Sequence, residues 1–281
     1  MDYVEFPNFG GLKIDIDRVA LKLFNISIYW YGVIIALAFL IGVLLSIKKS
    51  KMYKIVPDHI IDILLYATPV AIICARLYYV IFNASEFDSF SDIINIRSGG
   101  LAIFGGIIGA FITAIVLCRI KKIDAYSMFD LIAPYLALSQ AIGRWGNFIN
   151  QEAFGSNTNL PWGMTGNSIK NQLTVMRDSG IEIEPNLPVH PTFLYESIWN
   201  VMVFILLINF RKKFKQKGAI IFLYMILYGI GRFFIEGLRM DSLMLGNFRI
   251  SQLLSFVFVL VFGIIFYKKI IKSEDTETYE Y

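Results

Sequence analysis

Apolar residues gather into seven long runs separated by short polar connections: 26–47, 57–82, 99–118, 126–142, 191–210, 219–235 and 250–267. A helix crossing the bilayer core needs about 20 mostly apolar residues, and each run predicts one. The second and fourth are less clean, because they carry Asp58, Asp62, Arg76, Asp130 and Gln140. Pro69 and Pro134 are candidate kinks, and neighbouring helices re-satisfy the backbone groups they free. The pattern predicts an all-α polytopic membrane protein with seven transmembrane helices, forming a single integral membrane domain over residues 1–281.

The charges between the runs add orientation. Lys48, Lys49, Lys51 and Lys54 follow the first run, and Arg119, Lys121 and Lys122 follow the third. Arg211, Lys212, Lys213, Lys215 and Lys217 follow the fifth, and Lys268, Lys269 and Lys272 the seventh. These are alternate connections, as seven crossings require. The positive-inside bias puts them in the cytoplasm, with the N-terminus outside and the C-terminus cytoplasmic. The outer side then holds the N-terminal segment, 83–98, 143–190 and 237–249. Within it, residues 144–189 are rich in Asn, Gly, Pro, Ser and Thr and predict a small, loop-rich extracytoplasmic head. The acidic end, 273–281, reads as a frayed cytoplasmic tail. The start lacks a basic segment followed by an apolar one, so no cleaved signal peptide is expected.

Composition agrees with a membrane protein. The chain is 56% hydrophobic and 17% charged, against about 25% charged for a soluble domain, and its mean hydropathy is +0.60. The net charge of +4 does not call for a nucleic-acid partner. Cys74 and Cys118 lie inside apolar runs without a CxxC spacing, which points to core packing and no metal or disulfide. His59 reads as structural.

Ionisable groups at membrane depth are costly and mark candidate sites. Three clusters fall near outer ends of runs. In GRWGNFINQEAFG (143–155), Arg144, Asn147, Gln151, Glu152 and Gly155 share one face if the segment is helical; a polar helix end meeting water has the same look. In HPTFLYE (190–196), Pro191 suits a first helical turn. There Glu196 needs a partner, whereas His190 and Tyr195 also suit interfacial anchoring. In YGIGRFFIEGLRMD (228–241), Arg232 and Glu236 stand at i,i+4, and Arg239 and Asp241 follow. Tyr29, Trp30 and Tyr31 suit an aromatic belt. SGGLAIFGGIIG (98–109) holds Gly105 and Gly109 at close-packing spacing, while Gly99 and Gly100 offer backbone N–H groups to an anion. Arg76, Arg144, Arg232 and Arg239 all fall in the outer half of the membrane, against the inside preference for basic residues. They predict binding or processing of an anionic lipid at the outer leaflet; spacing does not extend to the reaction.

These motifs, in order along nearly the whole chain, resemble those of the prolipoprotein diacylglyceryl transferase family. GRWGNFINQEAFG is similar to its signature, HPTFLYE to its HPxxLYE motif and YGIGRFFIEGLRMD to its C-terminal arginine–glutamate motif. YWYG, ARLYYV and SGGLAIFGG match as well. The resemblance implies that the thiol of a lipobox cysteine, in a signal peptide still in the bacterial cytoplasmic membrane, attacks the phosphate-bearing glycerol carbon of phosphatidylglycerol. Glycerol phosphate leaves and a thioether forms, as the first step of lipoprotein maturation. No metal or other cofactor is implied, and a monomer is expected. The resemblance casts Arg144 as phosphate ligand, Asn147 and Glu152 as groups orienting that arginine or the glycerol hydroxyls, Arg232 with Glu236 as a second anchor and Tyr31 as a headgroup ligand. Arg239, Arg76, Gly99 and Gly100 would assist in substrate binding, with His190, Tyr195 and Glu196 shaping the site. One departure is Phe104, where many relatives carry a histidine or tyrosine and a histidine serves as base. That leaves His190 or Glu152 for the thiol proton, or a thiol made acidic by nearby arginines.

Two other classes stay open at this stage. A transporter for an anionic solute would place polar groups through the midplane, often with internal repeats, and a phospholipid hydrolase would use water in place of the thiol.

Overall fold

The structure, a computed structural model, describes residues 2–24, 26–87, 89–96, 99–240, 242, 244–246, 248–272 and 279. Its helices in chain order are α1 (Trp30–Lys49), α2 (Pro57–Phe82), α3 (Phe90–Ile94), α4 (Ile103–Ile120), α5 (Ala125–Asn150), α6 (Asn167–Asp178), α7 (Thr192–Phe210), α8 (Ala219–Glu236) and α9 (Ile250–Phe266). Short strands accompany them: β1 (Asp2–Phe6), β2 (Leu12–Ile16), β3 (Val19–Leu23), β4 (Ile26–Tyr29), β5 (Thr165–Gly166), β6 (Met244–Leu245) and β7 (Phe248–Arg249). Most of the expected tail at 273–281 lies outside the described residues, as do Ser98 and Asp241.

Among the described residues, six helical segments are long and apolar enough to cross a membrane: Trp30–Tyr53, Pro57–Phe82, Ile103–Ile120, Thr192–Phe210, Ala219–Glu236 and Ile250–Ile271. The protein is therefore a mostly helical, multi-pass membrane protein. The run expected at 126–142 is also helical, within the 26-residue α5. Its polar residues, among them Asp130, Gln140, Arg144 and Asn147, keep α5 out of the six.

Two boundaries differ from the sequence pattern. Residues 26–29 are not helix but β4, paired antiparallel to β3; β-branched Ile26 and Ile28 suit a strand. The third crossing begins at Ile103 and not at Gly99, because Gly99 and Gly100 hold φ of +93° and +79°, a conformation a right-handed helix excludes.

The chain forms two compact units, Met1–Leu44 with Ile132–Glu280, and Leu45–Leu131. In the second unit α2 packs on α4 through small residues. A Cβ on Gly105 would stand 3.0 Å from Ala75 Cα, and one on Gly109 would stand 2.7 Å from Cys74 Sγ. Glycine spacing thus sets how closely the two backbones approach.

In the first unit, β2, β1 and β5 form an antiparallel sheet. Val4 and Ile16 from that sheet share a core with Phe154, Met164, Ile169, Leu173, Val189 and Phe193. The N-terminal strands and the segment after α5 are therefore built around one core. A separate core joins α5, α7 and α8 through Ala133, Ala137, Val203, Leu207, Ile220 and Tyr224. The Trp199 indole fills the space left by Gly231 and donates to the Leu227 carbonyl at 3.0 Å. These contacts fix the two helices that carry Glu196 and Arg232.

Candidate active site

α5 continues through GRWGNFIN to Asn150, so Arg144 and Asn147 lie one turn apart on one face. The helical face expected to continue through Gln151, Glu152 and Gly155 does not form. Gln151 and Ala153 adopt φ of +53° and +55° and end the helix. Gln151 turns fully inward, where its Oε1 accepts the Ser168 N–H at 3.2 Å and its carbonyl accepts Gln172 Nε2 at 2.9 Å. The same reversal swings Glu152 back, its N–H donating to the Asn147 carbonyl at 3.1 Å. Asn147 Nδ2 then donates to Glu152 Oε1 at 2.8 Å, and Arg144 Nη1 donates to Asn147 Oδ1 at 3.4 Å. Asn150 Nδ2 adds a longer contact to Glu152 Oε1, 3.4 Å.

The other side of Arg144 meets Glu196. This residue lies in the second turn of α7 with its side chain 6% exposed. Its Oε2 is 2.7 Å from Arg144 Nη2, and its Oε1 is 3.2 Å from Arg232 Nη1 and 3.6 Å from Arg239 Nη1. Arg232 Nη2 also approaches Glu236 Oε2 at 2.6 Å, one turn along α8. Buried carboxylates are stable as ions only when paired, and these two are. Three guanidiniums thus face two carboxylates directly, and the Glu152 carboxylate joins the network through Asn147. The arginine side chains remain 25%, 18% and 13% exposed, for Arg144, Arg232 and Arg239 respectively. Each is thus ion-paired yet not fully enclosed.

Arg239 reaches this cluster because its backbone is pinned to the end of the signature. Gly155 and Arg239 form an antiparallel bridge, and the Ser156 N–H donates to the Leu238 carbonyl at 3.0 Å. A Cβ on Gly155 would stand 2.8 Å from His190 Cβ and 2.9 Å from Leu238 O. Glycine is required there by close approach.

His190 Nδ1 is 3.1 Å from the Tyr195 hydroxyl, which accepts Trp162 Nε1–H at 2.7 Å. Indole N–H can only donate. The Tyr195 O–H proton is therefore available to His190 Nδ1, an arrangement that would leave the imidazole proton on Nε2. Burial holds the His190 pKa below its ordinary 6.5, consistent with a neutral ring that accepts from Tyr195.

Tyr31 stands in the first turn of α1 with its ring against Gly146, where a Cβ would lie 2.7 Å from Tyr31 Cδ2. Tyr31 and Glu152 both line a cavity of about 610 Å³.

Arg76, Gly99 and Gly100 belong to the second unit and form a closed arrangement. Arg76 donates from Nε to Ile93 O (2.8 Å), from Nη1 to Gly99 O (2.7 Å) and Gly100 O (2.8 Å), and from Nη2 to Asp92 O (2.7 Å) and Asn95 O (3.1 Å). All five guanidinium N–H groups are engaged by main-chain carbonyls. The two glycines present carbonyls to Arg76, and the Gly99 N–H donates to the Ile96 carbonyl at 3.3 Å. Phe104 sits in the first turn of α4, partly exposed.

Three features escaped sequence reasoning. Glu196 is the point on which Arg144, Arg232 and Arg239 converge; its need for a partner was visible, its number of partners was not. Trp162 and Asn150 join the site through hydrogen bonds that no sequence spacing announces.

A family model described as prolipoprotein diacylglyceryl transferase matches residues 18–268. Curated proteins named phosphatidylglycerol–prolipoprotein diacylglyceryl transferase are similar along almost the whole chain. The one from Finegoldia magna is 47% identical over 268 residues, covering 92% of this chain and 99% of that protein. The one from Clostridioides difficile is 47% identical over 245 residues, covering 87% and 92%. The one from Clostridium novyi is 44% identical over 259 residues, covering 92% and 98%.

Proposed function

The chain belongs to the prolipoprotein diacylglyceryl transferase family, and on that premise we propose that its arginine cluster holds the phosphate of phosphatidylglycerol for attack by a lipobox cysteine. The enzyme transfers a diacylglyceryl group from phosphatidylglycerol to prolipoprotein, the first step of lipoprotein maturation. The convergence of Arg144, Arg232 and Arg239 on buried Glu196 carries the residue-level reading. A phosphodiester would bring its negative charge to three guanidiniums whose side chains stay partly exposed.

In this scheme the cysteine sulfur attacks the glycerol carbon that bears the phosphate. The C–O bond breaks, its electron pair leaves with glycerol phosphate, and a thioether forms. Charge grows on the phosphate as the bond breaks. Donors already oriented toward it stabilise that charge without reorganising. Arginine suits the task because its planar fork grips two oxygens at once. Asn147 and Glu152 hold Arg144 from behind, and Glu236 does the same for Arg232. Tyr31 is assigned to the headgroup, with His190 and Tyr195 shaping the wall. His190 Nδ1 is engaged with the Tyr195 hydroxyl, and Glu152 is joined to Arg144 through Asn147, so we assign the thiol proton to Glu152. Guanidiniums that lower the thiol pKa from its ordinary value of about 8.5 assist. Arg76, with its donors engaged, is assigned to holding the main chain at Asp92, Ile93, Asn95, Gly99 and Gly100.

We extend the reading to topology: seven crossings with α5 as the fourth, the N-terminus outside, residues 144–189 in an extracytoplasmic head, and the site facing the outer leaflet of the bacterial cytoplasmic membrane. The alternation of basic connections supports it. The protein acts as a monomer and needs no metal or other cofactor in this scheme.

Purified protein incubated with phosphatidylglycerol and a lipobox peptide tests the reaction. Glycerol phosphate should appear only when the peptide carries its cysteine. Equal release with a serine-substituted peptide would make the protein a hydrolase.

A further inference from the structure

The cavity of about 610 Å³ next to the arginine cluster is lined by Arg18, Ile28, Tyr29, Glu152, Ser168 and Gln172 as well as Tyr31. We propose that, beyond Tyr31, which rests against the helical turn of Arg144 and takes the headgroup, it receives the extended stretch of prolipoprotein that follows the acceptor cysteine. This rests on the transferase reading above and names a peptide subsite for that reaction.

Size argues for a peptide. A glycerol headgroup has six non-hydrogen atoms; at roughly 30 Å³ each, the volume per molecule of liquid water, it would fill less than about a third of the space. Lining chemistry argues the same way. Glu152 forms part of the wall and disfavours a phosphate there, while the cation, Arg18, is already paired with Asp2 at 3.1 Å. Hydroxyl, amide and carboxylate groups together match the alternating N–H and C=O groups of an extended chain. The wall also includes a strand. β4 contributes Ile28 and Tyr29 and pairs with β3 along one edge. Among the described strands nothing pairs with its other edge, and a free edge is a template for strand addition.

Position completes the argument. Glu152 faces the cavity and also bonds Asn147, which bonds Arg144. Tyr31 lines the cavity and rests against Gly146 of the same helical turn. A peptide seated in the cavity therefore brings the residue just before it, the cysteine, to the level of Arg144.

Wild-type, Ser168→Trp and Ile28→Trp proteins, each full-length in nanodiscs containing phosphatidylglycerol, test the assignment. Two amidated peptides are compared, one ending at the acceptor cysteine and one continuing for six polar residues. The wild type should show a KM for the longer peptide at least tenfold below that for the shorter. Each tryptophan should fill the cavity and erase that difference, leaving short-peptide turnover and the KM for phosphatidylglycerol within twofold. The proposal is overturned if the wild type treats both peptides alike. It is equally overturned if the tryptophans raise the KM for phosphatidylglycerol and leave the peptide difference intact, which assigns the cavity to the headgroup. Short-peptide turnover and melting temperature in the same preparations report folding. As a measurement independent of both variants, a photoreactive residue placed two positions after the cysteine should cross-link wild-type protein at Tyr29 or Ser168, and cross-links confined elsewhere overturn the proposal. Failure of the transferase reading is separately visible, as absence of cysteine-dependent glycerol phosphate from the wild type.

Discussion

Glu196 places a single negative charge among three guanidiniums, and that charge keeps them from repelling one another before substrate arrives. Glu196→Gln preserves shape but removes the charge. Hydrogen bonds to charged groups contribute about 1.5–3 kcal/mol, so kcat/KM for phosphatidylglycerol should fall about 10- to 100-fold in steady-state assays. His190 gives a pH prediction. Its pKa lies below the ordinary 6.5 because burial disfavours the charged ring. A depressed histidine pKa stabilises the fold fully above the unfolded value of about 6.5, and that contribution is lost as pH falls below it. The melting-temperature advantage of wild type over His190→Gln should therefore be larger at pH 7.5 than at pH 5.5. A pH-independent advantage would contradict a half-buried imidazole whose charged form burial disfavours. Arg144, Asn147 and Glu152 were legible in the sequence because two of them share a helical turn. The partners of Arg76 were not, because its five acceptors are main-chain carbonyls, at the end of α3 and beyond it, which side-chain identity does not mark.

At the scale of elements, the site depends on how α5 ends. The sequence placed Gln151, Glu152 and Gly155 on the face of Arg144 only if the segment were helical throughout; in the structure two non-glycine residues with positive φ terminate the helix. Side-chain identity does not announce such conformations, since the surrounding core imposes them. The reversal produces the Glu152–Asn147 bond and delivers Gly155 to the Arg239 backbone. Gly155→Ala would force its Cβ against His190 and Leu238. Overpacking of this kind costs about 1–3 kcal/mol. The variant should melt lower and lose activity together, as measured by thermal unfolding and glycerol phosphate release. The apolar crossings were legible from run length, to within a few residues at most ends. The N-terminal strands were not, because four- and five-residue strands give too short a pattern to distinguish from the run that follows.

For the whole molecule, the six helices long and apolar enough to cross a membrane, with the more polar α5 beside them in the chain, make topology the remaining proposal with the widest consequence. With Cys74 and Cys118 replaced, Asn186→Cys should react in intact cells with a membrane-impermeant maleimide, and Lys213→Cys only after permeabilisation. Both positions are exposed in the structure. The opposite labelling pattern would invert the protein and move the site to the inner leaflet.

The central claim is that the planar fork of Arg144 grips the phosphate as charge develops on it. Its most direct test is Arg144→Lys, assayed with phosphatidylglycerol and a lipobox peptide. Loss of one oriented donor at a developing charge costs about 2.7–4 kcal/mol, so kcat/KM should drop at least about 100-fold with melting temperature unchanged. Near-normal turnover by the lysine enzyme would contradict the account, since an ammonium group supplies the charge without the fork.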